Sequence, residues 1–406
     1  MVKETKTQNK APEINIGILG HVDHGKTTLT QMLTGKFTDE HSEELKRGIS
    51  IRLGYADMSI RKCPKCNGAA AYSTFSKCFS CSSNTEHLRT LSVVDVPGHE
   101  TLMATVLTGA SLIDGAILVI AANEKCPQPQ TKEHLAVLNI SGIKNIIVVQ
   151  NKIDLVDAAG AKKNHDSIKK FLKGSVAENA PIIPVSAQHR ANIEVLLKAI
   201  QDILKTPKHD AKKNPKMLVA RSFDVNKPGA KIENLVGGVV GGSVVEGVFK
   251  TGEKIEILPG IKQNNKWSPL KTKITSINKG KAPVTEGTPG GLLALSTTLD
   301  PYIAKSDNLV GAVIGIHGKM PPVWNTLKLE MHLISDIREK QESVRAQEPI
   351  LMGVGTARTI GVCTQPGSVS EFTLKIPVCA DIGDKVALSR QVLGRFRLVG
   401  YGLIKK

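Results

Sequence analysis

A chain that runs INIGIL at 14–19 straight into GHVDHGKT at 20–27 has little freedom in its first structural unit. The apolar run reads as a buried strand and residues 28–33 continue as a helix, so Gly20 and Gly25 fall where strand becomes helix. In that setting a glycine-rich loop cradles phosphate, because glycines permit the turn and leave the backbone N–H groups uncovered. The N–H groups of Asp23, His24, Gly25, Lys26, Thr27 and Thr28 then converge at the positive end of the helix dipole. Lys26 is placed to reach the terminal phosphates, and the Thr27 hydroxyl to ligate a magnesium ion that bridges them.

Three later segments select the nucleotide. DVPG at 95–98 closes a second apolar strand, which puts Asp95 near the metal through water and Gly98 where its N–H can sense a terminal phosphate. NKID at 151–154 follows a third such strand. The Asp154 carboxylate can accept from the N1–H and 2-amino group of guanine, a donor pair that adenine lacks, so the expected ligands are GTP and GDP. Asn151 and Lys152 pin neighbouring loops and cover the base. Ser186 and Ala187, after IIPV at 182–185, close on the guanine oxygen through a backbone N–H, with Gln188 beside them in the nucleotide set. Each short motif is weak alone; in this order, each at a strand end, they reinforce one another.

At 406 residues the chain is too long for one core, so two or three domains are expected. The longest apolar candidate for a membrane span, 106–122, contains Asp114 and reads as a helix end plus a strand. The N-terminal MVKETKTQNKAPE has charges without an apolar core behind them, which predicts a disordered tail and a cytoplasmic protein. The formal charge of +17 favours a polyanionic partner, RNA above all, while an aromatic content of 3% directs those contacts to phosphate, sugar and shape rather than to stacked bases.

Four of the seven cysteines form two knuckles, Cys63-x-x-Cys66 and Cys78-x-x-Cys81. That spacing suits four thiolates around one zinc ion, a closed structural site; disulfides are the poorer account. The zinc would staple an insert at about 61–85 that is too small for a core of its own. Cys126, Cys363 and Cys379 read as ordinary buried or half-buried residues.

The rhythm of the chain changes once, near Thr206-Pro207. Before it, strands alternate with helical stretches at 130–140, 165–173 and 192–204, the pattern of a mostly parallel sheet covered on both faces. After it come short Val, Ile and Leu-rich strands punctuated by Gly, Pro and Asn, as in GGVVGGSVVEG and TGEKIEILPG, which predict antiparallel β-barrels. With a basic linker at 208–216 and a softer break at Met320-Pro-Pro322, the expected domains are 1–207, 208–323 and 324–406.

GHVDHGKTTL, RGISI at 47–51, DVPGHE at 95–100 and NKID resemble the translational GTPases. The resemblance implies an α/β P-loop GTPase domain, here with a zinc-knuckle insert, followed by two β-barrels. Within that group, HSEELKRGIS at 41–50, the cysteine knuckles, ANEKCPQPQTKEH at 122–134, RSFDVNKPG at 221–229 and SRQVLGRFRLVGYG at 389–402 resemble the gamma subunits of archaeal translation initiation factor 2. Elongation factor Tu shares the nucleotide motifs but lacks the cysteine insert and RSFDVNKPG.

By matching position, the resemblance makes His99 the residue that orients the attacking water, and Val22 and Ile49 an apolar gate. Ser50 stands where the family usually has threonine as a magnesium ligand, and a second metal contact falls near Asp23 and the Gly48 carbonyl. The resemblance further implies that the GTP form binds initiator methionyl-tRNA, with its acceptor end between the GTPase domain and the first barrel. It also implies delivery to the small ribosomal subunit and a heterotrimer with alpha and beta subunits. Tyr55 is either an RNA contact or packing, and Arg390, Arg395 and Arg397 either face RNA or solvate a barrel edge. The rival functions are a carrier of another aminoacyl-tRNA, ordinary or selenocysteine-specific, and a GTPase regulatory subunit of a metabolic enzyme.

Overall fold

The computed structural model describes residues 10–36, 53–97, 103–207, 210–227, 229, 231, 233, 235–280, 282–334, 343–392 and 394–406. The first domain carries strands β1 (Asn15–Gly20), β2 (Gly54–Lys62), β3 (Tyr72–Ser73), β4 (Glu86–Asp95), β5 (Gly115–Ala121), β6 (Ile146–Asn151) and β7 (Ile182–Pro184). Its helices are α1 (Lys26–Thr34), α2 (Met103–Ala110), α3 (Pro129–Ser141), α4 (Ala158–Leu172) and α5 (Ile193–Ile203).

The strands form one sheet in the order β3-β2-β4-β1-β5-β6-β7. From β4 to β7 neighbours run parallel, while β2 and β3 are antiparallel additions at one edge. Both faces are covered, so β1 and β5 are buried along their length rather than alternating. Ile14, Ile16 and Ile18 join Leu29, Leu33 and Leu196 under α1 and α5, while Leu19, Val94 and Leu118 join Val106, Leu135 and Ile168 under the other helices. The helix expected at 165–173 begins earlier, at Ala158, because the Asp157 side chain accepts from Gly160 N–H at 2.7 Å and caps it.

The second domain contains β8 (Lys216–Phe223), β9 (Val239–Glu246), β10 (Phe249–Lys250), β11 (Lys254–Gln263), β12 (Lys266–Lys279), β13 (Ala282–Val284), β14 (Glu286–Gly287), β15 (Leu292–Thr297) and β16 (Val313–Gly315). The order β11-β16-β8-β9-β15-β12 is closed by pairing of β11 with β12, around a core that includes Met217, Val240, Phe249 and Leu295. The third domain closes in the order β17-β20-β19-β18-β21-β22, from β17 (Val323–Leu333), β18 (Pro349–Val354), β19 (Ala357–Gln365), β20 (Val369–Cys379), β21 (Lys385–Val392) and β22 (Arg395–Lys405). Closure leaves the six ring strands of each barrel without an unpaired edge.

Both barrels pack on the first domain. Asn15 donates to the Ser243 hydroxyl at 3.0 Å and Ser92 accepts from Leu292 N–H at 3.2 Å, tying β1 and β4 to the second domain. The third domain is held by Lys385, which donates to the Ile140 carbonyl at 2.6 Å, and by the Arg397–Glu133 ion pair at 3.2 Å. Arg390 pairs with Glu348 at 2.5 Å. Two of the three C-terminal arginines considered for RNA thus hold carboxylates, one within its barrel and one across a domain boundary. No helix among the described residues is long and apolar enough to cross a membrane.

Candidate nucleotide site and cysteine cluster

The cradle forms at the carboxyl ends of β1, β4 and β6. At Gly20 (φ 148°) the chain passes so close to β5 that a Cβ would lie 2.3 Å from the Val119 carbonyl oxygen. Gly20 N–H donates to Nδ1 of His134, on α3, at 2.8 Å. Burial pushes the His134 pKa down to about 3, so the ring is neutral. With Nδ1 accepting, its proton sits on Nε2.

His24 has the opposite tautomer. Its Nδ1 lies 2.9 Å from the Val119 carbonyl, which can only accept, so Nδ1 carries the proton. Burial lowers its pKa to about 3 as well, and the 3.4 Å approach of Nε2 to Glu124 is therefore not an ion pair at neutral pH. These two rings, with the Val119 carbonyl, fix the phosphate loop from below.

At Gly25 the backbone is left-handed (φ 83°), and a Cβ would lie 2.4 Å from Asn151 Nδ2. Asn151 is the clasp of the site. Its Nδ2 donates to the His24 carbonyl at 2.9 Å, and its Oδ1 accepts from Ala187 N–H at 3.1 Å. One buried amide thus stitches the phosphate loop to the turn after β7. Asp23 and Lys152, which border the site, also sit at positive φ (63° and 61°), strain of the kind that collects at functional loops. Lys26 is almost fully buried and its ammonium donates to the His21 carbonyl at 2.7 Å, folding the side chain back along the loop. Val22 on the loop and Thr27 and Thr28 in the first turn of α1 are half-buried.

Asp154 lies on the short 3-10 turn Ile153–Leu155 after β6. A hydrogen bond from Ser186 holds its carboxyl below the usual carboxylate range, so it is an acceptor at neutral pH. His189 Nε2 stands 3.7 Å from it, and Ser186 Oγ in turn accepts from His189 N–H at 3.3 Å. Gln188 is exposed beside them. Asp95 ends β4, buried and paired in register with Ile18 of β1, next to the start of the loop. Gly48, Ile49, Ser50, Gly98 and His99 lie outside the described residues.

The sequence reading gave no role to His134 or to the network beneath Asn151. Gln150 Nε2 donates to Asn164 Oδ1 at 2.9 Å, and Asn164 Nδ2 donates to the Glu124 carbonyl at 3.0 Å, anchoring α4 against β6. The available signal was a polar side chain on an otherwise buried helix face.

Tyr55, on β2, lines a cleft of about 390 Å³ where the three domains meet, together with Thr105, Arg221, Asp307 and Arg358. Arg221 and Asp307 pair at 3.0 Å. The Tyr55 hydroxyl is buried with no hydrogen-bond partner among the described residues, and burial raises its pKa.

The four knuckle cysteines converge. Their sulfurs all lie within 4.8 Å of one another, with separations of 3.4 Å (Cys63–Cys81), 3.5 Å (Cys66–Cys81) and 3.7 Å (Cys66–Cys78). A tetrahedron with Zn–S bonds of about 2.3 Å has edges of about 3.8 Å, so the donor set and its spacing are compatible with zinc. Cys126 is half-buried, and Cys363 and Cys379 are buried.

Comparison with known proteins follows the same order along the chain. Family models match for the elongation factor Tu GTP binding domain over residues 11–206, elongation factor Tu domain 2 over 237–315, and initiation factor eIF2 gamma, C terminal, over 325–404. The chain is 57% identical over 410 residues to translation initiation factor 2 subunit gamma of Methanocaldococcus jannaschii, covering 98% of this chain and 99% of that one. It is 55% identical over 411 residues to the same subunit of Pyrococcus abyssi, covering 99% of each. The crystal structure of a bacterial selenocysteine-specific elongation factor superposes with a TM-score of 0.74 at 26% identity, over 97% of this chain and 58% of that one. Elongation factor SelB of Methanococcus maripaludis, solved with a GTP analogue, shares the fold with a TM-score of 0.73 at 24% identity, over 98% of this chain and 80% of that one. Three family models in succession, the first a GTP-binding domain, and relatives more than half identical over nearly the whole length place this translational GTPase in its family: the chain belongs to the gamma subunits of translation initiation factor 2.

Proposed function

We propose that the chain is a GTP-operated carrier of initiator methionyl-tRNA. In its GTP form it binds the tRNA and brings it to the small ribosomal subunit in the cytoplasm, as one part of a heterotrimer with alpha and beta subunits, and it lets go once GTP becomes GDP and phosphate. The observation that carries the reading is the Asn151 clasp, which holds the phosphate loop and the guanine-side turn in one buried arrangement. A site stitched in this way is preorganised for a ligand with a base at one end and phosphates at the other.

Gly25, Lys26, Thr27 and Thr28 hold the phosphates in this account, and Asn151, Lys152, Asp154, Ser186, Ala187 and Gln188 the guanosine. Thr27 and Ser50 would ligate magnesium, which would neutralise charge on the phosphates, with a second metal contact near Asp23 and the Gly48 carbonyl. His99 orients the attacking water beside Gly98 and Asp95, and Val22 and Ile49 gate its approach. Such chemistry asks for positioning more than for a strong base. Cys63, Cys66, Cys78 and Cys81 hold a structural zinc ion. Tyr55 contacts the acceptor end from the three-domain cleft, and the +17 net charge supports a polyanionic partner.

Binding of initiator methionyl-tRNA to the purified chain, alone and with its alpha and beta subunits, tests the reading with a GTP analogue against GDP. Tighter binding in the GTP-analogue state, weakening steeply with salt, is the expected result. No preference for the initiator over other aminoacyl-tRNAs would favour an elongation-type carrier, and no salt dependence would remove RNA from the account.

A further inference from the structure

The cysteine knuckle touches the part of the molecule that faces the base. The turn at 186–191 closes on itself, with Ser186 N–H to the Ala191 carbonyl at 3.2 Å and Ala191 N–H to the Ser186 carbonyl at 3.0 Å. Its near end carries Ala187, held by Asn151. Its far end carries Arg190, in left-handed backbone at φ 57°. The Arg190 guanidinium carbon lies 5.6 Å from the centroid of the Phe75 ring, within cation–π range, and Phe75 meets Phe79 edge-on at 5.4 Å. Phe79 stands between Cys78 and Cys81, so the ring pair hangs on the clustered hairpin. The two rings are 39% and 46% exposed, which makes this a surface contact and not part of a core. Beyond Asn192 the turn runs into α5, which packs along the knuckle's Gly68–Ala71 turn and β3.

We propose that the knuckle is a brace for the base-reading turn. Arg190, seated on Phe75, is a positioning residue: it holds residues 186–191 in the shape that grips guanine, and zinc, by fixing the hairpin that carries Phe75, lengthens the residence of the nucleotide. This rests on the guanine site proposed above. A six-residue turn without a brace must lose its freedom when the nucleotide binds, and that cost appears as faster release. A left-handed arginine adds strain that its neighbours must offset.

The test uses the full chain and a fluorescent GDP, with the discrimination between GDP and IDP as the second readout, since inosine lacks the 2-amino group assigned to Asp154, and Ser186 on the braced turn holds that carboxylate by a hydrogen bond. Arg190→Ala and Phe75→Ala should each speed GDP release about two- to fivefold, the scale of an exposed cation–π contact. Each should also narrow the GDP over IDP preference while zinc content stays unchanged. The double variant should do no more than either single one, and Phe75→Trp should restore the parental rate. Stripping zinc should speed release in the parent and add little in Arg190→Ala. A merely structural role would lower the melting temperature and leave the GDP to IDP ratio alone. Unchanged release in both single variants, or additive effects in the double, would overturn the brace. A parent chain that bound no guanine nucleotide would instead overturn the site itself.

Discussion

Replacing Asn151 by alanine removes both arms of the clasp at once. The His24 carbonyl loses its donor at 2.9 Å and Ala187 N–H its acceptor at 3.1 Å, in a place where Asn151 itself is 2% exposed. A buried polar group left unmade costs about 1–3 kcal/mol, so any state that must keep both loops in place loses about 2–6 kcal/mol. The nucleotide-bound state must keep them in place. The free protein can let the 186–191 turn swing outward and admit water, and so relieves part of the cost. If it relieves about half, about 1–3 kcal/mol remains as weaker binding, which raises the Kd for GDP about 5- to 150-fold. Most of the change should lie in the dissociation rate, which stopped-flow release of a fluorescent GDP measures directly. Asn151→Asp is the discriminating control: it keeps an oxygen for Ala187 N–H but sets a carboxylate against the His24 carbonyl, so it should be at least as damaging as alanine. A GDP affinity within twofold of the parent in Asn151→Ala would refute the clasp as the element that organises the site.

Acid should unfold the chain partly through its two buried histidines. His24 and His134 have folded-state pKa values pushed down to about 3 from an ordinary 6.5, so between those values the unfolded chain binds more protons. Stability is then complete above about pH 6.5 and falls as pH drops toward 3, by up to about 1.4 kcal/mol per pH unit for each ring. His134→Gln, whose amide oxygen can take the Gly20 N–H, should flatten the dependence of melting temperature on pH over that window; an unchanged slope would count against a neutral buried His134. Asp154→Asn should weaken GDP binding by at least about a hundredfold, since two charge-assisted hydrogen bonds are worth about 3–6 kcal/mol, and should improve binding of xanthosine diphosphate, whose C2 oxygen suits an amide donor. Retained GDP affinity would place the base elsewhere. Metal analysis should find one zinc per chain, lost in a Cys63→Ser, Cys78→Ser double variant, and no zinc in the parent would reduce the cluster to a group of thiols.

The phosphate loop was legible because its information is local: a continuous apolar strand, two glycines that need a particular backbone and a helix, all within 20 residues. The placement of NKID and of Ser186-Ala187 at strand ends was legible for the same reason, each following an apolar run. The class of the C-terminal half could be read from strand length and punctuation. Its strand order could not, since β17 pairs with β20 and β22, partners that no local pattern specifies. The first turns of α4 escaped notice because AAGA at 158–161 shows no amphipathic period. His134 as the partner of Gly20 spans 114 residues, and Arg397 with Glu133 spans 264. An arginine written among other arginines reads as a surface for RNA until folding supplies the distant carboxylate.

The apolar cluster on the α2 and α3 face of the first domain does not stop at the domain's edge. Ala387 and Leu398 of the third domain belong to it alongside Leu107, Ala110 and Ile113, and Gly353 is bare enough to admit Leu107, whose Cβ would stand 3.3 Å from an added methyl. A chain cut after the first domain would therefore present a greasy scar where α2 had been roofed, and should clump rather than behave as a detachable module. Grafting in a foreign C-terminal barrel would meet the same obstacle, because the graft would need a small residue opposite Leu107 and apolar side chains beside it. The three units should for this reason melt together in one transition and not in succession.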